Sequence, residues 1–105
     1  MIRCYRDANG YFRVEANDVH PLIGAYLEQD LQGDQAACQQ MTAVLDEVSS
    51  GRRARWSGTG NAHTVNIQDH EVLIINEYDD SLGPAKIPLN VFRQCIEAWK
   101  KCISS

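Results

Sequence analysis

The sequence predicts an α+β domain in which helices pack on an antiparallel sheet of about five strands, in the order ββ-αα-βββ-α. Segments with alternating apolar and polar residues, typical of half-buried strands, flank a region whose apolar residues recur every three or four positions, as in helices. Elements of each kind are grouped along the chain, which favours an antiparallel sheet over a parallel one. At 105 residues we expect a single domain covering 1–105.

The strands are predicted where the sequence alternates or is continuously apolar. Asn9-Gly10 favours the positive φ angles of a tight turn and indicates a hairpin at the start of the chain. Gly58-Thr59-Gly60-Asn61 indicates a second turn, and Gly83-Pro84 ends the last strand. The predicted strands cover residues 2–6, 11–16, 54–56, 63–67 and 72–75.

Three segments have helical spacing. The first runs from Pro21 to Leu31, with Gly33 as its end. The second follows Asp34, a favourable N-cap residue. The third begins near Pro88, which suits a first helical turn. Its apolar stripe consists of Phe92, Cys95, Ile96, Trp99, Cys102 and Ile103.

Residue spacing excludes several classes of function. No apolar run reaches the roughly 18 residues that span a membrane, and the first residues lack an export signal, so we expect a cytoplasmic protein with no membrane contact. Its four cysteines, at positions 4, 38, 95 and 102, should stay reduced. They lack CxxC spacing, and the three histidines share no ligand spacing. We expect no metal, no cofactor and no catalytic residue.

Acidic residues are concentrated in two stretches without Lys or Arg, residues 17–51 and 69–80, and the net charge is −4. Direct binding to nucleic acid needs a basic surface, so we expect none. An acidic surface complements a basic protein, and enzymes that hold nucleic acids are commonly basic. The charge distribution therefore favours a protein partner, with a basic nuclease domain as the leading candidate.

Within these stretches, Glu77-Tyr78-Asp79-Asp80 is the preferred recognition site, because tyrosine beside charged groups is typical of interface hot spots. Two alternatives stay open. In the first alternative, the run has no partner and is a solvated loop or a weak cation site, as charge runs commonly are. Otherwise the interface is a second acidic patch on the predicted outward positions of the helices, formed by Glu28, Asp30 and Asp34.

Three segments together carry a family resemblance: Val44–Gly51, Trp56–Val65, and Ile75–Asp80 with the helix that follows it. The second is similar to a W-x-G-x-x-Y-T-L pattern, with His63 where an aromatic residue is expected. In this order they resemble the small bacterial proteins typified by YacL, a family that includes immunity proteins of contact-dependent growth inhibition systems (CdiI type).

The resemblance implies an immunity protein without enzymatic activity. It would bind the C-terminal toxin domain of a CdiA protein, a nuclease, and cover the toxin's active site with its acidic surface. The alternative is a housekeeping YacL-like domain that binds another protein and has no toxin partner. The sequence leaves the toxin's activity and the oligomeric state open.

Overall fold

The computed structural model describes residues 2–16 and 18–104. It confirms the α+β class and the predicted order of elements, and it adds one strand. The strands are β1 (Arg3–Arg6), β2 (Phe12–Glu15), β3 (Arg55–Thr59), β4 (His63–Gln68), β5 (Glu71–Asn76) and β6 (Ala85–Pro88). The helices are α1 (Pro21–Tyr26), a π-helical segment (Leu27–Leu31), α2 (Gln35–Ser49) and α3 (Leu89–Ile103). None of the described helices is both long and apolar enough to cross a membrane.

β1 and β2 form an antiparallel hairpin, as the alternating pattern predicts. Gly10 in the turn has φ +84°, a conformation that glycine adopts at little cost. The Asp7 carboxylate accepts hydrogen bonds from the backbone N–H groups of Asn9 and Tyr11, at 2.9 and 3.0 Å. Asp7 thereby closes the turn and places Arg6 opposite Phe12.

The other strands form a separate antiparallel sheet in the order β3-β4-β5-β6. β5 lies between β4 and β6, which explains its continuous apolar run. Leu73 and Ile75 of β5 lie on the face of the sheet away from the helices, and both are half-buried. The face toward the helices is formed by seven buried residues: His63, Val65, Ile67, Val72, Ile74, Ala85 and Ile87.

The sequence does not predict β6, because Gly83-Pro84 ends the preceding apolar run and Pro88 reads as the start of a helix. Only four residues remain, and their alternation of buried Ala85 and Ile87 with exposed Lys86 and Pro88 is too short to stand out. β6 is an edge strand of the described sheet, where proline is tolerated.

The buried stripe of α3 matches the predicted one at Phe92, Cys95, Ile96, Trp99 and Ile103. α2 begins as predicted, since the Asp34 carboxylate accepts a hydrogen bond from the backbone N–H of Ala37 at 3.1 Å. Helices α2 and α3 pack against each other and against the inner face of the four-stranded sheet. The core therefore lies between the sheet and the helices.

The first helix differs from the prediction in its second half. A regular α-helix ends at Tyr26, and a π-helical segment follows, in which the backbone N–H of Gln32 donates to the carbonyl of Leu27 at 2.8 Å. The reversal of direction occurs at Gln32, with φ +53°, rather than at Gly33. The π-helical segment does not follow the 3.6-residue period of an α-helix. Because of this change, Asp30 points into the protein instead of outward.

The expectation of four reduced cysteines is wrong for two of them. Cys4 in β1 and Cys102 near the end of α3 form a disulfide, with Cα atoms 6.6 Å apart. Their separation of 98 residues hides this proximity from the sequence. Cys38 and Cys95 are buried free thiols, as predicted for small apolar residues. Burial raises the pKa of Cys95 to about 11, so its thiol stays protonated.

Candidate functional site

The preferred candidate site, here called the acidic loop, is Glu77–Asp80, directly after β5. Its backbone is held by Asn76, whose side-chain oxygen accepts hydrogen bonds from the N–H groups of Tyr78 and Asp79, both at 2.9 Å. The N–H of Glu77 donates to the carbonyl of Ala62 at 2.8 Å and ties the loop to the β3–β4 turn. The loop is therefore an ordered projection from the sheet.

The side chains of the acidic loop point outward. Tyr78 is 83% exposed, more than any other large apolar residue in the described ranges, and Glu77, Asp79 and Asp80 are exposed around it. Ser81 hydrogen-bonds the Asp79 carboxylate and holds its pKa below the usual value, so this group is ionised at neutral pH. The loop thus presents an aromatic ring among negative charges.

The second predicted patch does not exist as a common free surface. The Glu28 carboxylate accepts from the backbone N–H of Val14 at 2.7 Å and pairs with the Arg13 guanidinium at 3.3 Å. Asp34 is exposed but serves as the N-cap of α2. The expectation that Asp30 faces outward is wrong, because its side chain is only 3% exposed. The three carboxylates support the fold at three different places.

Asp30 binds the turn between β3 and β4. One carboxylate oxygen lies 2.9 Å from Nδ1 of His63, and the other accepts from the backbone N–H of His63 at 3.0 Å. The N–H of Ala62 also donates to Asp30, at 3.2 Å. His63 is fully buried, which confirms its interpretation as a satisfied core residue and shows it deeper than the half-buried position expected.

Gly60 is required for this arrangement. A Cβ atom at position 60 would lie 2.5 Å from the Asp30 carboxylate, closer than real Cβ contacts. The chain reverses between β3 and β4 as predicted, but the turn lies at residues 60–62 rather than 58–61, because Gly58 and Thr59 pair with β4 as part of β3. In the sequence, Gly60 is the residue that indicates the close approach of a side chain, here that of Asp30, to this turn.

The described residues contain no group of three or more His, Cys, Asp or Glu side chains placed to hold a metal ion. The His63–Asp30 pair borders a cavity, but both carboxylate oxygens already accept protein hydrogen bonds. The arrangement suits anchoring of the turn, whereas the acidic loop suits contact with another molecule.

Comparison with known proteins assigns the chain to a family. The sequence model of an uncharacterised protein family, UPF0231, matches residues 3–82, well over half of the chain. The chain belongs to the UPF0231 family. The match runs from β1 through the acidic loop and ends before β6.

Two relatives carry the same family name. The UPF0231 protein of Proteus mirabilis strain HI4320 is 29% identical over 69 residues, which cover 66% of this chain and 55% of the relative. The UPF0231 protein of Yersinia enterocolitica is 30% identical over 69 residues, covering 66% of this chain and 57% of the relative. The matched region thus spans little more than half the length of these relatives. No solved structure matches the chain.

These findings correct the assignment made from the sequence. The YacL-like, CdiI-type resemblance is wrong, because both the family model and the relatives point to UPF0231. A role in contact-dependent growth inhibition or in nuclease inhibition was inferred only from that resemblance and from the charge distribution. The names of the matching family and relatives mention neither function. The segments that carried the resemblance are the end of α2, the β3–β4 hairpin and the end of β5 with the acidic loop, which are structural elements and do not specify a function.

Proposed function

We propose that this chain is a non-catalytic binding domain that recognises a basic protein surface through its acidic loop. The observation that carries the proposal is Tyr78, 83% exposed on a hydrogen-bonded backbone and flanked by carboxylates. Tyrosine is enriched among the residues that dominate interface energies. Neighbouring Leu82, also exposed, extends the apolar part of this surface.

The order of the acidic loop favours binding. A partner that contacts a flexible loop must offset the conformational entropy lost on binding, whereas a preorganised loop avoids most of that cost. Asn76 and Ser81 already hold the backbone and the Asp79 carboxylate in place. The side chain of Thr64 similarly donates to Glu77 at 2.8 Å.

The charge of the loop selects the partner. Three carboxylates within four residues repel the phosphates of nucleic acids and attract Lys and Arg. Steering by these charges speeds the encounter with a basic protein and weakens as salt is added. A folded protein or a basic segment with an apolar or aromatic contact for Tyr78 fits this surface.

The hydrogen bonds of the His63–Asp30 pair support a role in the fold rather than in proton transfer, although both residues border a cavity. A general base must reach its substrate within hydrogen-bond distance, directly or through one water. His63 has no exposed surface, its Nδ1 faces Asp30, and its Nε2 lies 3.4 Å from the Asn76 amide.

The proposal is tested by photo-crosslinking in a lysate of the source organism. A benzoylphenylalanine at position 78 should capture one partner with a Lys- and Arg-rich surface, because residue 78 lies at the centre of the proposed interface. The same group at Tyr11, a tyrosine 68% exposed on the hairpin, is the matched control and should not capture it. Identical adducts from both positions, or a partner without a basic surface, would contradict the proposal.

For the compartment we propose the cytoplasm, where Cys38 and Cys95 stay free and the Cys4–Cys102 pair, bridged in the structure, is held reduced. The disulfide gives this proposal a direct check, since cytosolic thiols are held reduced. Alkylation of intact cells followed by mass spectrometry should label Cys4 and Cys102 as free thiols in the cytoplasm. Finding them protected as a disulfide in the cell would place the protein in an oxidising compartment.

A further inference from the structure

A cavity of about 230 Å³ lies between α2, the strands β3 and β4, and the π-helical segment. Met41, Val44 and Trp56 contribute apolar walls, and Tyr26, Asp30 and His63 also line it. The lining residues Gln40 and Thr59 are exposed, so the cavity opens to solvent at their side. For comparison, a dry cavity of about 150 Å³ accommodates benzene.

The Trp56 wall depends on a glycine. A Cβ atom at position 58 would lie 2.4 Å from the Trp56 indole, so the ring occupies the space that any other residue would fill. The indole is half-buried. An aromatic ring thereby borders the cavity, as in many ligand-binding pockets.

Tyr26 provides an unused hydrogen-bonding group. The residue is 4% exposed, and its hydroxyl takes part in none of the side-chain hydrogen bonds among the residues that the structure describes. In the same residues every fully buried side-chain oxygen or nitrogen has a partner, so the Tyr26 hydroxyl must reach open space, and the cavity is the space it lines. A hydroxyl on an otherwise buried tyrosine that bonds only solvent can donate to a ligand instead.

The surroundings define which ligand the hydroxyl suits. Burial, and then the Asp30 carboxylate, raise the pKa of Tyr26 well above its usual value, so the hydroxyl keeps its proton and is available to donate it. The oxygens of Asp30 already accept from His63 and Ala62, so they compete little for that donor. The buried negative charge of Asp30 also disfavours an anionic ligand.

We propose that this cavity binds a neutral, flat heteroaromatic compound of one or two fused rings, whose ring nitrogen or carbonyl accepts a hydrogen bond from Tyr26. The rings lie against Trp56 and contact Met41 and Val44, which also line the cavity. This site is separate from the acidic loop, so it stands whether or not the chain binds a basic protein.

The test is a titration of the full chain with quinoline at pH 8, followed by NMR. We expect saturable shifts of the Trp56 indole N–H and the Gly60 amide. Tyr26→Phe removes only the hydroxyl and should weaken quinoline binding about fivefold, the effect of one lost hydrogen bond. Ala37→Phe, which fills the cavity from α2, should abolish binding.

Quinoline-6-carboxylate is the matched anionic probe and should bind at least about tenfold more weakly than quinoline, because of the Asp30 charge. Absence of saturable shifts with quinoline would overturn the proposal. So would unchanged affinity in Tyr26→Phe or in Ala37→Phe, or tighter binding of the carboxylate.

Discussion

Replacing Trp99 with alanine should lower the free energy of unfolding by about 3–5 kcal/mol, a large share of the 5–15 kcal/mol typical of a domain. Trp99 is fully buried at the centre of α3, and its ring meets that of Phe12 edge to face at 6.2 Å. Its indole N–H donates to the backbone carbonyl of Gln32 at 2.7 Å. Alanine leaves both a cavity and an unpaired carbonyl.

Urea titration followed by circular dichroism measures this loss. Trp99→Phe is the control, since it keeps an aromatic ring in the core and removes the hydrogen bond to Gln32. We expect its loss to be intermediate, about 1–3 kcal/mol. A loss below about 1 kcal/mol for Trp99→Ala would mean that α3 does not pack on the core through this residue.

Removing the Cys4–Cys102 disulfide should destabilise the protein by about 2–5 kcal/mol. The bridge joins the hairpin to the end of α3 and closes a large loop, since the two cysteines are 98 positions apart in the sequence. In the chain-entropy account, closing a loop of about 100 residues restricts the unfolded state by ~4.7 kcal/mol. The double variant Cys4→Ser/Cys102→Ser removes this restriction.

The control for this prediction is the unaltered protein measured with and without a reductant. Reduction should lower its unfolding midpoint to near that of the double variant, and the reductant should leave the double variant unchanged. Equal midpoints for the oxidised and reduced protein would show that the bridge does not contribute to stability.

Local patterns in the sequence sufficed for most of the fold. The stripe around Phe92 and Trp99 identified the buried face of α3, and Asp34 marked the start of α2. Such features depend on residues a few positions apart, whose spacing reports directly on burial. The division into a hairpin and a four-stranded sheet depends on pairing between strands, which spacing does not report.

Contacts between distant segments account for what the sequence did not predict. Asp30 reads as an outward residue of a regular helix, but the π-helical segment turns it toward His63, more than thirty positions away. The disulfide unites residues from the two ends of the chain. The cavity at Tyr26 is assembled from a helix, a π-helical segment and two strands, and no single segment signals it.

The acidic loop was predictable as an exposed acidic run because the composition of 77–80 is a local property. The sequence did not reveal its order, because that depends on hydrogen bonds to Asn76 and on the attachment of Glu77 to Ala62. It is this order that distinguishes the loop from an ordinary solvated turn.

The central claim is tested most directly by measuring how tightly the partner captured through residue 78 binds two variants of this chain. Each variant carries two charge reversals. Asp79→Lys/Asp80→Lys alters the acidic loop, and Glu71→Lys/Glu97→Lys makes the same change in net charge at exposed positions elsewhere. We predict that the loop reversal weakens binding about tenfold or more and reduces its salt dependence, while the control stays within about twofold. Equal effects of the two reversals in folded proteins would contradict recognition through the acidic loop.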